Sequence, residues 1–288
     1  MFTFTKILLP VDFSVRSADL ARTAAAFTEH FGVQATLLHV LSPEFHLHFT
    51  NSPEARLRDV RRSACEDAEQ KLQELGASEW PDTSVSRVLL EGDVAGTIVD
   101  YARSEHFDLI MMPTHGYGIF RRLLLGSITA KVLHDASCPV WTAVHATAPA
   151  SLAPTIRRIA CAVDLGPSSG QLLALAKRLC EEFGASLSTI HVVVSLDLRQ
   201  EQYYLSPEWR GYLIDTAKSR LSDLQSASGI EAEAHIEIGP VPSAVAAAAG
   251  VAQADLLIIG RGRNGLAGRL AGNAYSIIRE SPCPVLSV

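Results

Sequence analysis

The chain has 288 residues, of which 48% are hydrophobic and 19% are charged, and its formal net charge at pH 7 is −6. This composition excludes a disordered or fibrous protein and suits a globular protein with aliphatic cores. An acidic balance without a Lys/Arg-rich run argues against nucleic acids and anionic membranes as partners. The length accommodates two domains of about 140 residues each.

The chain shows no pattern typical of targeting or membrane insertion. Its N-terminal apolar run is only a few residues long before Asp12, which is too short for the hydrophobic region of a signal peptide. The most apolar later stretch is rich in alanine and is interrupted by Gly250, Gln253 and Asp255, so it does not predict a membrane span. Five scattered cysteines without a CxxC pair favour free thiols over disulfides or zinc sites. We therefore expect a cytoplasmic protein.

Short aliphatic runs alternate with longer segments of helical period through the first half of the chain. This alternation indicates βαβ units and a parallel sheet with helices on both faces. We predict strands near residues 4–10, 34–40, 84–90, 107–112 and 139–144, and helices over 16–31, 54–76, 94–106 and 127–135.

The same order of segments recurs in the second half, which indicates an internal duplication. The run KILLPVDFS at 6–14 parallels RIACAVDLG at 158–166, and both end their apolar part in Val-Asp. Later segments match in the same order, and each half closes with Cys-Pro-Val. The run HATAPASLAP at 145–154 has small residues, two prolines and no periodicity, as is typical of a linker.

These patterns predict two tandem α/β domains, each a doubly wound sheet of five parallel strands. We place domain 1 at 1–146, a linker at 147–154 and domain 2 at 155–288.

A ligand site is expected at one edge of each sheet, because doubly wound sheets bind ligands beyond the carboxyl ends of their strands where the strand order reverses. In domain 1, Asp12 follows the first strand directly, and residues 113–116 follow the fourth. Gly126 would allow close approach of a ligand, Ser127 would cap the next helix, and the free N–H groups there would favour a phosphate. A carboxylate beside an anion cradle predicts a nucleotide site.

Taken singly, each of these residues also fits a structural role without a ligand. Asp12 would then cap the first helix, Gly126 would be a turn glycine, and Ser127 would be an ordinary helix cap.

In combination, the motifs resemble the universal stress protein family, over essentially the whole chain and in both halves. ATP-binding members have an Asp after the first strand, a Val after the second, and a loop of Gly, two residues, Gly, nine residues and Gly-Ser or Gly-Thr. Domain 1 matches this pattern with Asp12, Val40 and the run THGYGIFRRLLLGSITAKVLHDASCPV from Thr114. The resemblance implies the adenine nucleotide alpha-hydrolase-like fold and an intramolecular pseudo-dimer paired through the final strands.

The resemblance also implies the ligand contacts of domain 1. Val11 and Asp12 would lie near adenine and ribose, and Val40 would meet the base. The remaining implied contacts, at the two strand ends and around ribose and phosphates, are Pro10, Met112, His115, Gly116, Gly126, Ser127 and Ile128. One departure is Pro113, which stands where the family has its first loop glycine and offers no N–H to a phosphate.

Domain 2 departs further from the family pattern. Its loop ends in Gly272-Asn273 where the family has Gly-Ser, so the phosphate-binding hydroxyl is lost although Asn273 could still cap a helix. Taking Gly262 as the second glycine preserves the nine-residue interval and puts Ile259 in the place of the first. We expect a degenerate or differently loaded site, with the adenine side and loop formed by Val163, Asp164, Val192, Gly260, Gly262, Gly272 and Asn273.

Several other patterns have weaker functional meaning. Gly260, Gly262 and Gly265 spell a dinucleotide-binding pattern, but they follow the fourth strand of their domain rather than the first. No P-loop motif is present, which excludes a P-loop NTPase. His46 and His48, with His39 nearby, lack Cys or carboxylate partners at ligand spacing, so we predict no metal site.

Arg121 and Arg122 in the motif loop have two interpretations of equal weight. They approach the phosphates of a ligand, or they form a solvated surface.

Three functions remain open from the sequence. The first is a stress-response sensor or regulator that binds ATP, ADP or AMP, with or without Mg²⁺, mainly in domain 1. The second is a nucleotide-free scaffold that acts through surface contacts. The third is a slow ATPase, which has the least support because no carboxylate–metal pair or general base accompanies the γ-phosphate position. We assign no catalytic residue, and further pairing of chains into homodimers is left open.

Overall fold

The computed structural model describes residues 3–42, 54–78, 80, 85–114, 125–143, 156–193, 207–261 and 269–288, with the backbone alone at 54–57 and 269–272. The chain divides into two compact units, Met1–Pro154 (unit 1) and Thr155–Val288 (unit 2). No helix in these described ranges is long and apolar enough to cross a membrane.

Unit 1 alternates strands and helices in the order that the sequence patterns predict, with boundaries close to the predicted ones. Its elements are β1 (Lys6–Pro10), α1 (Val15–Phe31), β2 (Gln34–Leu41), α2 (Glu54–Glu74), β3 (Val85–Glu91), α3 (Val94–Ser104), β4 (Leu109–Pro113), α4 (Ser127–Asp135) and β5 (Val140–Ala143).

Unit 2 repeats this order. Its elements are β6 (Arg158–Ala162), α5 (Ser169–Phe183), β7 (Ser186–Val193), α6 (Pro207–Ala227), β8 (Glu233–Ile238), α7 (Val241–Val251), β9 (Leu256–Ile259), α8 (Arg269–Glu280) and β10 (Val285–Ser287).

Each unit is a doubly wound parallel sheet, as predicted. The strand order is β3-β2-β1-β4-β5 in unit 1 and β8-β7-β6-β9-β10 in unit 2, with parallel pairing within each unit. In each unit the second and third strands are added on one side of the first strand, and the fourth and fifth strands are added on its other side. The strand order therefore reverses between β1 and β4, and between β6 and β9.

Helix α1 shows how the sequence sets these elements. Ser14 is its N-cap, and the Ser14 side chain accepts a hydrogen bond from the N–H of Ser17. Gly32 ends the helix in the left-handed conformation at φ 67°, which glycine adopts without steric cost. Between these ends, a face of small and aromatic side chains is buried, including Ala21, Ala24 and Phe27.

An aspartate joins the central strands of each sheet at their amino ends, opposite to the candidate site. The Asp108 carboxylate accepts hydrogen bonds from the N–H of Thr5 at 2.7 Å and the N–H of Lys6 at 2.9 Å. Asp255 accepts from the N–H groups of residues 157 and 158, both at 2.9 Å. Asp108 thus joins the start of β4 to the start of β1, and Asp255 joins the start of β9 to the start of β6. In each unit these are the two strands whose carboxyl ends lie at the candidate site.

None of the five cysteines forms a disulfide. Burial raises the pKa of the Cys180 thiol to about 12 and that of Cys283 to about 11. Thiols with such pKa values stay protonated and unreactive near neutral pH, so these two act as small hydrophobic residues. Cys138 is half-buried.

Candidate functional site

The two central strands of unit 1 share a shorter ladder than their counterparts in unit 2. Their ladder pairs Ile7 with Leu109 and Leu8 with Ile110, whereas the equivalent ladder of unit 2 continues to the end of β9. Pro10, the last residue of β1, has no N–H with which to extend the pairing. The ladder therefore stops short of the carboxyl ends of β1 and β4, at the strand-order reversal where Asp12 lies.

Asp12 is held in a fixed orientation just beyond β1. Its Oδ1 oxygen accepts hydrogen bonds from the N–H of Ser14 at 3.0 Å and from the hydroxyl of Ser17 at 2.6 Å. Burial raises the pKa of the Asp12 carboxyl, but the hydrogen bonds from Ser14 and Ser17 outweigh it and leave the pKa below its ordinary value. The carboxylate is therefore ionised at neutral pH. Both of these hydrogen bonds are accepted by Oδ1.

The predicted alternative role of Asp12 as the cap of the first helix is wrong in detail. Ser14 occupies the N-cap position, and Asp12 supports it from two residues upstream.

The residue after Asp12 has a strained backbone. Phe13 adopts φ 62°, a left-handed conformation that costs a non-glycine residue about 1–2 kcal/mol. Its ring packs against that of His39, with ring centroids 4.3 Å apart. His39 was not predicted as a site residue, although its recurrence in a His-Val pair in both halves was a visible signal. Its Nδ1 lies 2.7 Å from the carbonyl oxygen of Val11, directly beside the site.

The residues implied on the adenine side lie at the predicted edge. Val11 continues the pairing of β1 with β2, since its N–H donates to the carbonyl of Leu38 at 2.8 Å. Val11 and Val40 are both buried. Met112 is also buried, in β4 next to Pro113.

The fourth strand and the next helix converge beside this edge. The carbonyl of Pro113 accepts a hydrogen bond from the hydroxyl of Thr129 at 3.0 Å. The N–H of Gly126 donates to the carbonyl of Thr114, also at 3.0 Å. The two ends of the motif loop are thereby brought together. His115, Gly116, Arg121 and Arg122 lie outside the described residues.

The start of α4 corrects the role predicted for Ser127. The N-cap is Gly126, at φ −60° and ψ 141°, which has no side chain with which to cap the helix. Ser127 is the first helical residue and is exposed, as is Ile128. The extended ψ of Gly126 places the cap one residue earlier than predicted. The first N–H groups of an α-helix have no partner within the helix.

The edge of unit 2 repeats the aspartate geometry. Oδ1 of Asp164 accepts hydrogen bonds from the N–H of Gly166 at 2.8 Å and from the hydroxyl of Ser169 at 2.9 Å. A Cβ added at Gly166 would lie 2.9 Å from that oxygen, so this position suits glycine. Val163 and Val192 are buried, like their counterparts in unit 1.

Strand register corrects the loop assignment in unit 2. The N–H of Thr114 donates to the carbonyl of Ala143, and the N–H of Arg261 donates to the carbonyl of Val288. Ala143 and Val288 are both the third residue after Cys-Pro-Val. Arg261 therefore stands where unit 1 has Thr114, and Gly260 stands where unit 1 has Pro113. The expectation that Ile259 occupies the place of the first glycine is wrong, because the interval from Arg261 to Gly272 is one residue shorter than that from Thr114 to Gly126.

The predicted capping role of Asn273 is also wrong. Asn273 and Gly272 lie within α8, which begins at Arg269. Arg, Leu and Ala at residues 269–271 are strong helix formers, which favours a start one turn earlier. Gly262 lies outside the described residues.

The described residues contain no group of three or more His, Cys, Asp or Glu side chains that could hold a metal ion. His46 and His48 lie outside those residues.

Comparison with known proteins decides the family. The sequence profile of the Universal stress protein family matches residues 3–143 and 155–288. The chain belongs to the universal stress protein family. Both halves of the chain are thus universal stress protein domains, which accounts for the duplication and for the shared fold.

Some relatives match this universal stress protein over its whole length, and others match about half of it. A Mycolicibacterium smegmatis universal stress protein is 24% identical over 291 residues, covering 98% of this chain and 96% of the relative. One from Methanocaldococcus jannaschii is 31% identical over 139 residues, covering 48% of this chain and 80% of the relative. The crystal structure of an Archaeoglobus fulgidus universal stress protein matches with a TM-score of 0.67 at 24% identity, covering 98% of this chain and 95% of that one.

Proposed function

We propose that this universal stress protein binds an adenine nucleotide in unit 1 and acts as a stress-response sensor or regulator. The observation that carries the proposal is the arrangement at the strand-order reversal. An ionised Asp12 lies at the same edge of the sheet as the N-terminus of α4, whose N-cap is Gly126. A hydrogen-bond acceptor and an anion-binding helix end at the strand-order reversal suit a nucleotide.

Asp12 supports recognition of the nucleoside. Its Oδ1 is engaged by Ser14 and Ser17, so the carboxylate is held before a ligand arrives. Oδ2 would accept a hydrogen bond from a ribose hydroxyl without reorientation, which lowers the entropic cost of binding. Val11 and Val40 then form the apolar side against adenine, as the family resemblance implies.

The start of α4 supports recognition of phosphate. The N–H groups at a helix N-terminus attract anions, and Ser127 adds an exposed hydroxyl there. Ile128 is 42% exposed although it is a large apolar residue, and a ligand would cover it. Pro113 removes one N–H donor from this side. We therefore propose that AMP or ADP binds at least as tightly as ATP, and that Mg²⁺ is not required.

We propose that the ligand site of unit 2 is not equivalent to that of unit 1. Asp164 and the buried pair Val163 and Val192 keep the adenine side. At its phosphate side, however, Asn273 lies inside α8 and does not start the helix. Unit 2 would therefore bind an adenine nucleotide more weakly than unit 1.

The organisation of the whole chain is proposed from the resemblance. Domains at 1–146 and 155–288, joined by a linker at 147–154, would pair as an intramolecular pseudo-dimer through their final strands. We also propose that the protein works in the cytoplasm.

A scaffold function is the second candidate, and one surface favours it. Trp209 and Tyr212 on α6 are 50% and 60% exposed, and their rings stack with centroids 5.3 Å apart. Exposed aromatic pairs are typical of protein–protein contact surfaces. A scaffold would use this surface whether or not a nucleotide is bound.

Equilibrium dialysis of labelled ATP, ADP and AMP against the purified, nucleotide-stripped chain tests the proposal. The matched variants are Asp12→Ala and Asp164→Ala, which remove the same side chain from the two units. We expect Asp12→Ala to weaken nucleotide binding at least about tenfold, since a charged hydrogen-bond partner is lost, and Asp164→Ala to have a smaller effect. Equal nucleotide binding by wild type and a folded Asp12→Ala variant would refute the assignment of the site to unit 1.

A further inference from the structure

One contact beside each aspartate is repeated between the units. Nδ1 of His39 lies 2.7 Å from the carbonyl oxygen of Val11, and Nδ1 of His191 lies 2.9 Å from the carbonyl oxygen of Val163. A carbonyl oxygen only accepts hydrogen bonds, so each ring nitrogen must donate. Both histidines are therefore protonated at Nδ1, and each joins the second strand of its unit to the backbone just before the aspartate.

The residue after each aspartate has a strained backbone conformation in both units. Phe13 has φ 62° and Leu165 has φ 59°, and neither is a glycine. A left-handed conformation of such residues persists only where surrounding contacts impose it, and such conformations are concentrated at functional sites. Asp12 and Asp164 each lie between a carbonyl held by histidine and a strained residue. The backbone on both sides of each aspartate is thus constrained.

We propose that His39 and His191 are positioning residues, which fix the backbone before Asp12 and Asp164 and so aim each carboxylate at the ligand edge. For ligand affinity, the proposal rests on the nucleotide function proposed above. For the orientation of Asp12, it stands on the geometry alone.

The surroundings of His39 favour this role over general acid–base chemistry. Burial lowers the pKa of the His39 imidazole, although the hydrogen bond to Val11 and the charge of Asp12 act in the opposite direction. Lys71, on α2, adds a nearby positive charge that also lowers this pKa. A neutral ring that donates through Nδ1 is an uncharged tether for the Val11 carbonyl.

The decisive variants are His39→Asn and His39→Leu. The Asn side-chain amide reaches about as far as Nδ1 and can donate to the Val11 carbonyl, whereas Leu fills a similar volume and cannot donate. Both replacements are uncharged, so a difference between them isolates the hydrogen bond from the loss of a titratable ring. Circular dichroism verifies that each variant is folded.

Two measurements on these proteins require no nucleotide. The first is the ¹⁵N NMR spectrum of wild-type His39, which we expect to show the Nδ1–H tautomer at neutral pH. The second is the pKa of Asp12 by ¹³C NMR. We expect this pKa to rise in His39→Leu, to return towards the wild-type value in His39→Asn, and to be unchanged in His191→Leu.

The third measurement is nucleotide affinity, which we expect to fall about tenfold in His39→Leu and to recover in His39→Asn. An absence of nucleotide binding in the wild type, with the expected pKa changes, would refute the nucleotide function and leave the positioning role supported. The proposal is overturned if Nδ1 of wild-type His39 carries no proton. It is also overturned if folded Leu and Asn variants show the same Asp12 pKa. Should the Leu variant not fold, the wild-type tautomer decides.

Discussion

The hydroxyl of Ser17 lies 2.6 Å from Oδ1 of Asp12 and donates to it, across the turn that joins β1 to α1. Ser169 makes the same contact with Asp164 at 2.9 Å in unit 2. A charged acceptor that is partly buried gains more from such a bond than a neutral one does. The serine five residues after each aspartate therefore orients the carboxylate, and in unit 1 it also lowers the pKa of Asp12.

We predict that Ser17→Ala raises the pKa of Asp12 and destabilises the fold by about 1 kcal/mol at pH 7, because one hydrogen bond to the carboxylate is lost. Titration by ¹³C NMR and urea unfolding measure the two effects. Ser169→Ala is the matched control, and it should leave the pKa of Asp12 unchanged. An unaltered Asp12 pKa in Ser17→Ala would show that the described hydrogen bond does not stabilise the ionised form.

The low pKa of Asp12 also predicts how stability depends on pH. The pKa in the folded protein lies below the ordinary value of 3.8, so the ionised carboxylate stabilises the fold above that pH. This contribution is lost as the pH falls through the folded pKa. Comparing the unfolding free energies of wild type and Asp12→Asn from pH 7 down to about pH 2 should show a stability advantage of the wild type that disappears at the acidic end. An advantage that grows on acidification would contradict the assigned direction of the shift.

Asp108 is predicted to stabilise unit 1 from the opposite edge of the sheet. Asp108→Ala removes the hydrogen bonds to the N–H groups of Thr5 and Lys6, with an expected local loss of about 1.5–3 kcal/mol. Hydrogen–deuterium exchange followed by mass spectrometry should show faster exchange in β1 and little change in β6. Asp255→Ala should show the reverse pattern. Slow exchange of β1 in a folded Asp108→Ala variant would mean that these bonds contribute little.

Pro113 is predicted to weaken the phosphate side of the unit 1 site. Pro113→Gly restores an N–H donor and the residue that unit 2 has at this position, Gly260. We expect the affinity for ATP to rise by up to about tenfold, equivalent to one added hydrogen bond to a charged group, with little change for AMP. Pro113→Ala, which restores the donor but keeps a Cβ, shows whether close backbone approach matters as well. An unchanged ratio of ATP to AMP affinity in both variants would remove Pro113 from the account.

Much of the fold follows from local sequence patterns. Aliphatic runs such as 34–40 predict buried parallel strands, since both faces of such a sheet are covered by helices. Because the sequence repeats, the order of strands and helices in unit 2 follows from the order in unit 1. The place of Asp12 was also predictable, because a polar residue directly after the first strand must lie at the carboxyl edge of the sheet.

Details that depend on pairing between strands were not predictable in the same way. The contact of His39 with Val11 requires the register of β1 against β2, which periodicity within one strand does not specify. The equivalence of Gly260 with Pro113 is established by pairing with the final strands, and aligning the runs at 107–116 and 254–263 also gives it. The start of α8 at Arg269 depends on the helix propensities of the residues before Gly272. A motif with fixed spacing does not take these propensities into account.

The most direct test of the central claim is isothermal titration calorimetry of the purified, nucleotide-stripped wild-type chain with ATP, ADP and AMP in the presence of Mg²⁺. We predict saturable binding near one site per chain, with AMP or ADP at least as tight as ATP. An absence of binding by all three nucleotides at millimolar concentration would contradict the sensor function and favour the scaffold.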